Sequence, residues 1–188
     1  MKQNKAGTAG DLVIVFDQKD NKFLALGLYD PDSPIRIKVL SLENGIKINE
    51  QWLTDKLQEA YSKRENLLQT NPNAYRLCFG ENDGLPALIC DVYAQVAVLK
   101  IYSRIWLPLL DEIKAAIVSV TDCEALVLRF SRLVHRENTF SDLTDGQVIY
   151  GSLDSEEIQF VEHGVRFNAN VIKGHKTGFF LDLSLIHI

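Results

Sequence analysis

Along the opening of the chain, apolar and polar residues fall into short runs with turn residues between them. Leu12 to Phe16, Phe23 to Tyr29 and Ile35 to Leu40 read as three strands. Asp17 to Asn21 reads as a hairpin loop, and Pro31-Asp32-Ser33-Pro34 as a turn, because proline fixes φ and keeps the preceding residue out of the helical region. A sheet this small leaves a bare N-terminal edge that needs cover, so a segment preceding Met1 is expected. From Asn49, an N-cap residue, the period changes. Trp52, Leu53, Leu57, Ala60, Tyr61, Leu67 and Leu68 recur at helical spacing and predict one amphipathic helix over residues 50 to 69, with Trp52 in the core and not a base-stacking platform. Asn71-Pro72-Asn73 stops it and marks a domain boundary.

Beyond Tyr75 the strand pattern returns, at Tyr75 to Phe79, Leu85 to Val92 and Gln95 to Tyr102, with Asn82-Asp83-Gly84 as the first turn. A helix from Ile105 to Val120 buries Trp106, Leu109, Leu110, Ile113, Ala116 and Ile117 and accommodates Pro108 in its first turn. A strand at Ala125 to Phe130, a long polar stretch from His135 to Ser155, and a hairpin from Ile158 to Val171 turning at His163-Gly164 complete the pattern. The class this predicts is α+β, with helices layered on a mainly antiparallel sheet. No internal repeat is present.

Composition narrows the options. The 188 residues are 46% hydrophobic and 24% charged, as in a globular chain with one large or two small cores. The 3 cysteines, Cys78, Cys90 and Cys123, are widely spaced, which argues against a disulfide framework or a CxxC metal site and for a reducing, cytoplasmic setting. No apolar stretch is long enough to cross a bilayer, so no membrane role is expected. A net charge of −5 argues against a general nucleic-acid surface but leaves room for local basic patches. The best of these runs from Arg129 through Arg132 and His135 to Arg136, and it reads equally well as a strand entering a solvated loop. Glu81 and Asp83 read as turn acids and not as a catalytic pair. His135, His163 and His175 lack ligand spacing, so no metal site is expected.

Two segments are more specific than any generic pattern. Tyr75-Arg76-Leu77, followed by Phe79-Gly80-Glu81-Asn82-Asp83-Gly84-Leu85-Pro86-Ala87-Leu88-Ile89-Cys90-Asp91-Val92-Tyr93, resembles the GE-x-DGLPGL-x-x-D-x-Y stretch of the class I, S-adenosylmethionine-dependent methyltransferases that make 5-methylcytosine in large-subunit ribosomal RNA. Gly174-His175-Lys176-Thr177-Gly178-Phe179-Phe180-Leu181-Asp182 resembles the G-x-KTG-[FY]-[FY]-LDQR run of the same family, up to the aspartate. Gly10 to Val15 and Leu24 to Val39 resemble the later part of the family's PUA-type RNA-binding domain, whose earlier hPWVF run is absent here. The residues Leu183 to Ile188 replace the family's continuation. One set of codons for them spells the transposon end used in preparing sequencing libraries, so 183–188 is expected to be a non-native tail.

The resemblance implies an incomplete PUA-like β module at residues 1–48, a helical connector at 49–73, and an α+β middle domain at 74–182, with the Rossmann-like catalytic domain missing. It implies the substrate-positioning part of an S-adenosylmethionine-dependent ribosomal RNA methyltransferase, a fragment inactive by itself. Large-subunit ribosomal RNA is the implied partner, and a homodimer is admitted. In that family a cysteine adds to C6 of the pyrimidine so that C5 can attack the sulfonium methyl. The resemblance puts that cysteine outside this chain, and Cys78, Cys90 and Cys123 read as core, leaving no catalytic residue here. Lys176, Thr177, Gly178, Phe179 and Asp182 are implied to approach the cofactor; the alternative is that the two phenylalanines plug the middle-domain core and Lys176 is solvated. Arg36, Lys38, Arg129, Arg132 and Arg136 are the candidates for RNA phosphates, or else solvated sheet-edge charges. The rival reading of the whole is a stand-alone RNA-binding or ribosome-associated adaptor without catalysis.

Overall fold

The computed structural model describes residues 6–65, 72–136 and 142–181. Strands β1 (Leu12–Phe16), β2 (Phe23–Tyr29) and β3 (Ile37–Ser41) form an antiparallel three-stranded sheet in sequence order. The third strand starts later than the apolar run does because the turn before it is extended by side chains. The Asp30 carboxylate accepts from the Asp32 N–H at 3.3 Å and the Ser33 hydroxyl from the Ile35 N–H at 3.3 Å. Helix α1 (Glu50–Ser62) is opened by Asn49, whose side-chain oxygen accepts from the Trp52 N–H at 3.0 Å, and it buries Leu53, Leu57 and Ala60. The helix ends at Ser62 with a turn at Lys63 and Arg64, and residues 66–69 of the expected helix, Leu67 and Leu68 among them, lie outside the described residues.

The centre of the molecule is a five-stranded sheet in the order β4 (Ala74–Phe79), β5 (Leu88–Tyr93), β6 (Val96–Ile101), β7 (Ala125–Phe130) and β8 (Gln147–Gly151). Its neighbours are antiparallel except β6 and β7, which run parallel. A parallel pair needs a crossover. Here it is a 3-10 turn at Arg104–Leu109, which holds Pro108, leading into helix α2 (Leu110–Thr121), and Asp122 closes that helix at φ 51°. Strand β5 begins at Leu88 and not at Leu85, because Gly80–Asp83 is a 3-10 turn and both Gly84 and Ala87 take positive φ, bending the chain before it can pair. The polar stretch after β7 holds a short helix, α3 (Arg132–Arg136), and β8 itself. Strands β9 (Glu157–Glu162) and β10 (Val165–Asn170) form a separate hairpin that turns at His163 and Gly164.

Strand alternation divides the core in two. Leu88, Cys90 and Val92 of β5, Ala97, Leu99 and Ile101 of β6, and Leu126, Leu128 and Phe130 of β7 pack with Leu53 and Leu57 of α1 and Ile113, Ala116 and Ile117 of α2. Leu28 and Leu40 of the first sheet join this same cluster. On the opposite face Tyr93, Val96, Val98, Ala125 and Val127 pack with Phe160, Ala169 and Val171 of the hairpin region. Trp106 is fully buried, with its indole N–H donating to the Pro86 carbonyl at 2.7 Å.

Candidate functional site: a segment gripped by a buried polar belt

Each of three central strands carries one charged residue among apolar ones: Asp91 in β5, Lys100 in β6 and Arg129 in β7. By alternation all three face the hairpin side of the sheet, where Arg76 of β4 stands opposite Asp91 and Lys100 opposite Arg129. They form a belt of charge across an otherwise apolar face. The segment from residue 171 to 181 lies over that belt.

The grip is specific. Arg76 donates to the fully buried Asp91 through two parallel bonds, Nε to Oδ1 at 2.7 Å and Nη2 to Oδ2 at 3.0 Å. The buried Thr177 hydroxyl donates to Asp91 Oδ2. Since that proton is committed, Tyr93 is the donor in its 2.9 Å bond to Thr177 Oγ1, and the Tyr93 oxygen in turn accepts from the Phe179 N–H at 3.2 Å. Burial, reinforced by the Asp91 charge, raises the Tyr93 hydroxyl pKa above its ordinary value, so it stays protonated. Lys100 donates to the Lys176 carbonyl at 2.7 Å. Burial, then the nearby Arg129 charge, lowers its pKa. Arg129 donates to the carbonyls of Val171 at 3.2 Å and Gly174 at 3.1 Å and pairs with Asp145 at 3.1 Å.

Backbone shape completes the fit. A Cβ at Gly174 would lie 2.3 Å from the Asn170 carbonyl oxygen, and Gly178, at φ 132°, has that same oxygen 3.0 Å from where its Cβ would be. Phe179 is driven inward, with ring centroids 5.1 Å from Phe160 and 5.3 Å from Phe167. Phe180 points out, 39% exposed, with the Lys176 ammonium 4.5 Å from its ring centre.

Of the residues the resemblance directs to a cofactor, Thr177, Gly178 and Phe179 are thus built into the scaffold, while Lys176 with Phe180 forms the outward face; Asp182 lies outside the described residues. Of the RNA candidates, Arg129 is 6% exposed and its guanidinium is taken up by the belt. Arg36 donates to the Tyr29 hydroxyl at 3.4 Å, Lys38 to the Ser33 hydroxyl at 3.1 Å, and Arg132 is exposed at the start of α3. None of these three is in an ion pair among the described residues. The Arg136 side chain lies outside the described residues. Sequence reasoning did not single out Arg76, Asp91, Tyr93 or Lys100 as a site. The available signal was a lone charge inside each of three apolar strands, because such a charge must find a buried partner.

Cys78 and Cys90 are buried, and their thiols are held protonated: burial pushes Cys78 up to about 12 and Cys90 well above its ordinary value. Burial likewise raises Cys123. Among the described residues no group of three or more His, Cys, Asp or Glu side chains is arranged to hold a metal ion.

The α+β fold that carries this segment follows that of solved methyltransferases. A protein from Streptococcus mutans assigned as a SAM-dependent methyltransferase superposes with a TM-score of 0.79 at 20% identity, covering 97% of this chain and 46% of that one. A methyltransferase solved in complex with SAH matches with the same TM-score over 96% of this chain and 45% of its own. The PUA-like domain family matches residues 1–42. In sequence, the chain is 40% identical over 185 residues to a ribosomal RNA large subunit methyltransferase of Deinococcus radiodurans, which covers 96% of this chain and 45% of that relative. The chain therefore spans about half the length of the curated relatives it matches. These superpositions correct one expectation. Because solved methyltransferases follow almost the whole of this chain, its fold is itself methyltransferase-like α+β, and a fold defined by a missing Rossmann-like domain is not supported.

Proposed function

We propose that this chain acts in the cytoplasm as the RNA-side, substrate-positioning part of an S-adenosylmethionine-dependent methyltransferase that forms 5-methylcytosine in large-subunit ribosomal RNA. The observation that carries the reading is 40% identity over 96% of the chain to a ribosomal RNA large subunit methyltransferase, joined to the structure of the 174–181 segment. Thr177, Gly178 and Phe179 fix that segment so that Phe180, with the Lys176 ammonium beside it, presents an exposed aromatic face suited to a wall of a cofactor pocket, with Asp182 following in sequence. The cofactor supplies an electrophilic methyl group. Arg36, Lys38, Arg132 and Arg136 serve RNA phosphates, and Arg129 serves them indirectly by holding the segment.

By itself the chain positions RNA and does not methylate it. Addition to a pyrimidine C6 needs a thiolate, and all three cysteines are protonated and buried. The same observation favours the adaptor as second reading. A titration separates the readings. The purified chain is expected to bind a large-subunit ribosomal RNA fragment with salt-dependent affinity, and Lys176→Ala or Phe180→Ala should weaken retention of S-adenosylmethionine by a complex in which the chain is part of an active methyltransferase. Unchanged cofactor affinity in both variants supports the adaptor, and absence of RNA binding removes both.

A further inference from the structure

Between the three-stranded sheet and the end of the five-stranded sheet lies a cavity of about 550 Å³ that the cofactor-side segment does not touch. Its size is that of a site for a small organic ligand. Two contacts fix its walls: Arg104 pairs with Asp32 at 2.6 Å, and the Ser103 hydroxyl donates to the buried Asp30 carboxylate at 2.8 Å. Phe79, at the end of β4, is 45% exposed there, and Tyr102, just past β6, is 40% exposed. Each ring has a cation over it, the Arg76 guanidinium carbon 5.1 Å from the Phe79 centre and the Lys100 ammonium 5.6 Å from the Tyr102 centre. Leu133 adds a third exposed apolar side chain to the lining.

The charges around these rings select among ligands. Lys38 lines the wall with a hydroxyl as its hydrogen-bond partner, and Arg132, exposed and adjacent in sequence to the lining residue Leu133, is in no ion pair among the described residues. Asp32 is neutralised by Arg104 and Asp30 is occupied by Ser103, which leaves Glu81 as the exposed acid of the lining. A carboxylate accepts from the amino groups of a nucleobase and repels phosphate, so a nucleotide would enter with its base toward Glu81 and its phosphate toward Lys38. Flat π-faces, rim cations and one base-edge acceptor together describe an unpaired nucleotide better than a lipid or an acidic peptide.

We propose that this cavity takes one unpaired nucleobase of the bound RNA, stacked on Phe79 and Tyr102, with its phosphate at Lys38 and Arg132. The inference rests on RNA being the partner and adds where a single-stranded nucleotide is held. The full chain is titrated with a single-stranded oligoribonucleotide carrying one 2-aminopurine, with a fully paired duplex of the same sequence, and with a large-subunit ribosomal RNA fragment. Stacking is expected to quench 2-aminopurine fluorescence. Phe79→Ala and Tyr102→Ala should each weaken single-strand binding roughly 5- to 100-fold and abolish the quench, with Phe79→Trp restoring both. Lys38→Ala should lower the slope of log affinity against log salt by about one. The duplex should bind more weakly than the single strand. Phe79 is exposed, so Phe79→Ala decides the matter alone if Tyr102→Ala does not fold. RNA binding with the quench and the affinity unchanged in Phe79→Ala overturns the nucleobase site and leaves the RNA reading standing. Failure of the wild-type chain to bind any of the three RNAs overturns both.

Discussion

The two large sheets are built from strands of similar apolar content, yet they dispose of it differently. In the three-stranded sheet, Leu12, Ile14 and Phe16 of the edge strand are 51%, 53% and 48% exposed. In the five-stranded sheet every residue of β7 is buried. Cover makes the difference: α1 and α2 close one face of the larger sheet and the β9–β10 hairpin with the 171–181 segment closes the other, whereas among the described residues β1 has a strand neighbour on one side alone. Charge follows the same division. Inside the larger sheet Asp91 and Arg129 must be satisfied by protein, and they are, whereas Arg36 and Lys38 at the smaller sheet donate to hydroxyls and are in no ion pair among the described residues.

Breaking the belt should cost most. Asp91→Ala leaves Arg76 without its carboxylate and Thr177 without its acceptor, and should lower unfolding stability by about 3–5 kcal/mol in urea titrations. A loss under 1 kcal/mol would show that the belt contributes little. Leu128→Ala, in the fully buried strand, should cost about 2–5 kcal/mol by the same measurement. Gly174→Ala forces a Cβ against the Asn170 carbonyl and should release the 171–181 segment to limited proteolysis while the sheets stay folded; resistance equal to wild type would contradict the fit.

Asp83 sharpens the comparison through pH. Burial pushes its pKa up, but bonds from Arg64 and the Phe79 N–H outweigh burial and hold it below the ordinary 3.8. A carboxyl lowered on folding contributes its stability above the unfolded value and loses it as pH falls through the folded one. Asp83→Asn should therefore flatten the decline in urea midpoint below pH 3.8, and an unaltered decline would reassign it to other carboxylates. Cover predicts chemistry too: Cys78 and Cys90 should resist a thiol reagent at pH 8 until denaturant is added. The smallest effect belongs to the smaller sheet, where Ile14→Ser should change stability by no more than about 0.5 kcal/mol.

Strands β1, β2 and β7 were legible because each is an apolar run bounded by turn residues, and the β9–β10 turn because His163-Gly164 carries positive φ in a short polar break. Strand β8 was hidden, since Gln147 to Gly151 is only half-buried and lies in a polar stretch. The parallel pairing of β6 with β7 was also beyond local pattern, because it depends on how the α2 crossover returns. At the site, the resemblance pointed to Thr177, but its partner Asp91 is 86 residues away in sequence, and no periodicity links two residues that meet only when a sheet and its covering segment close. Arg129 misled for the converse reason: among arginines it looked like surface, and the carbonyls that bury it come from residues 171 and 174.

The belt seizes the overlying segment chiefly by main-chain oxygens, those of Val171, Gly174 and Lys176. Such a clasp follows the path of the backbone and reads no side chain at the exposed positions between those it holds. Lys173 and His175, both exposed, can drift over evolutionary time while the contour of the segment persists, so the protein can retune what it shows to its surroundings without refitting the clasp.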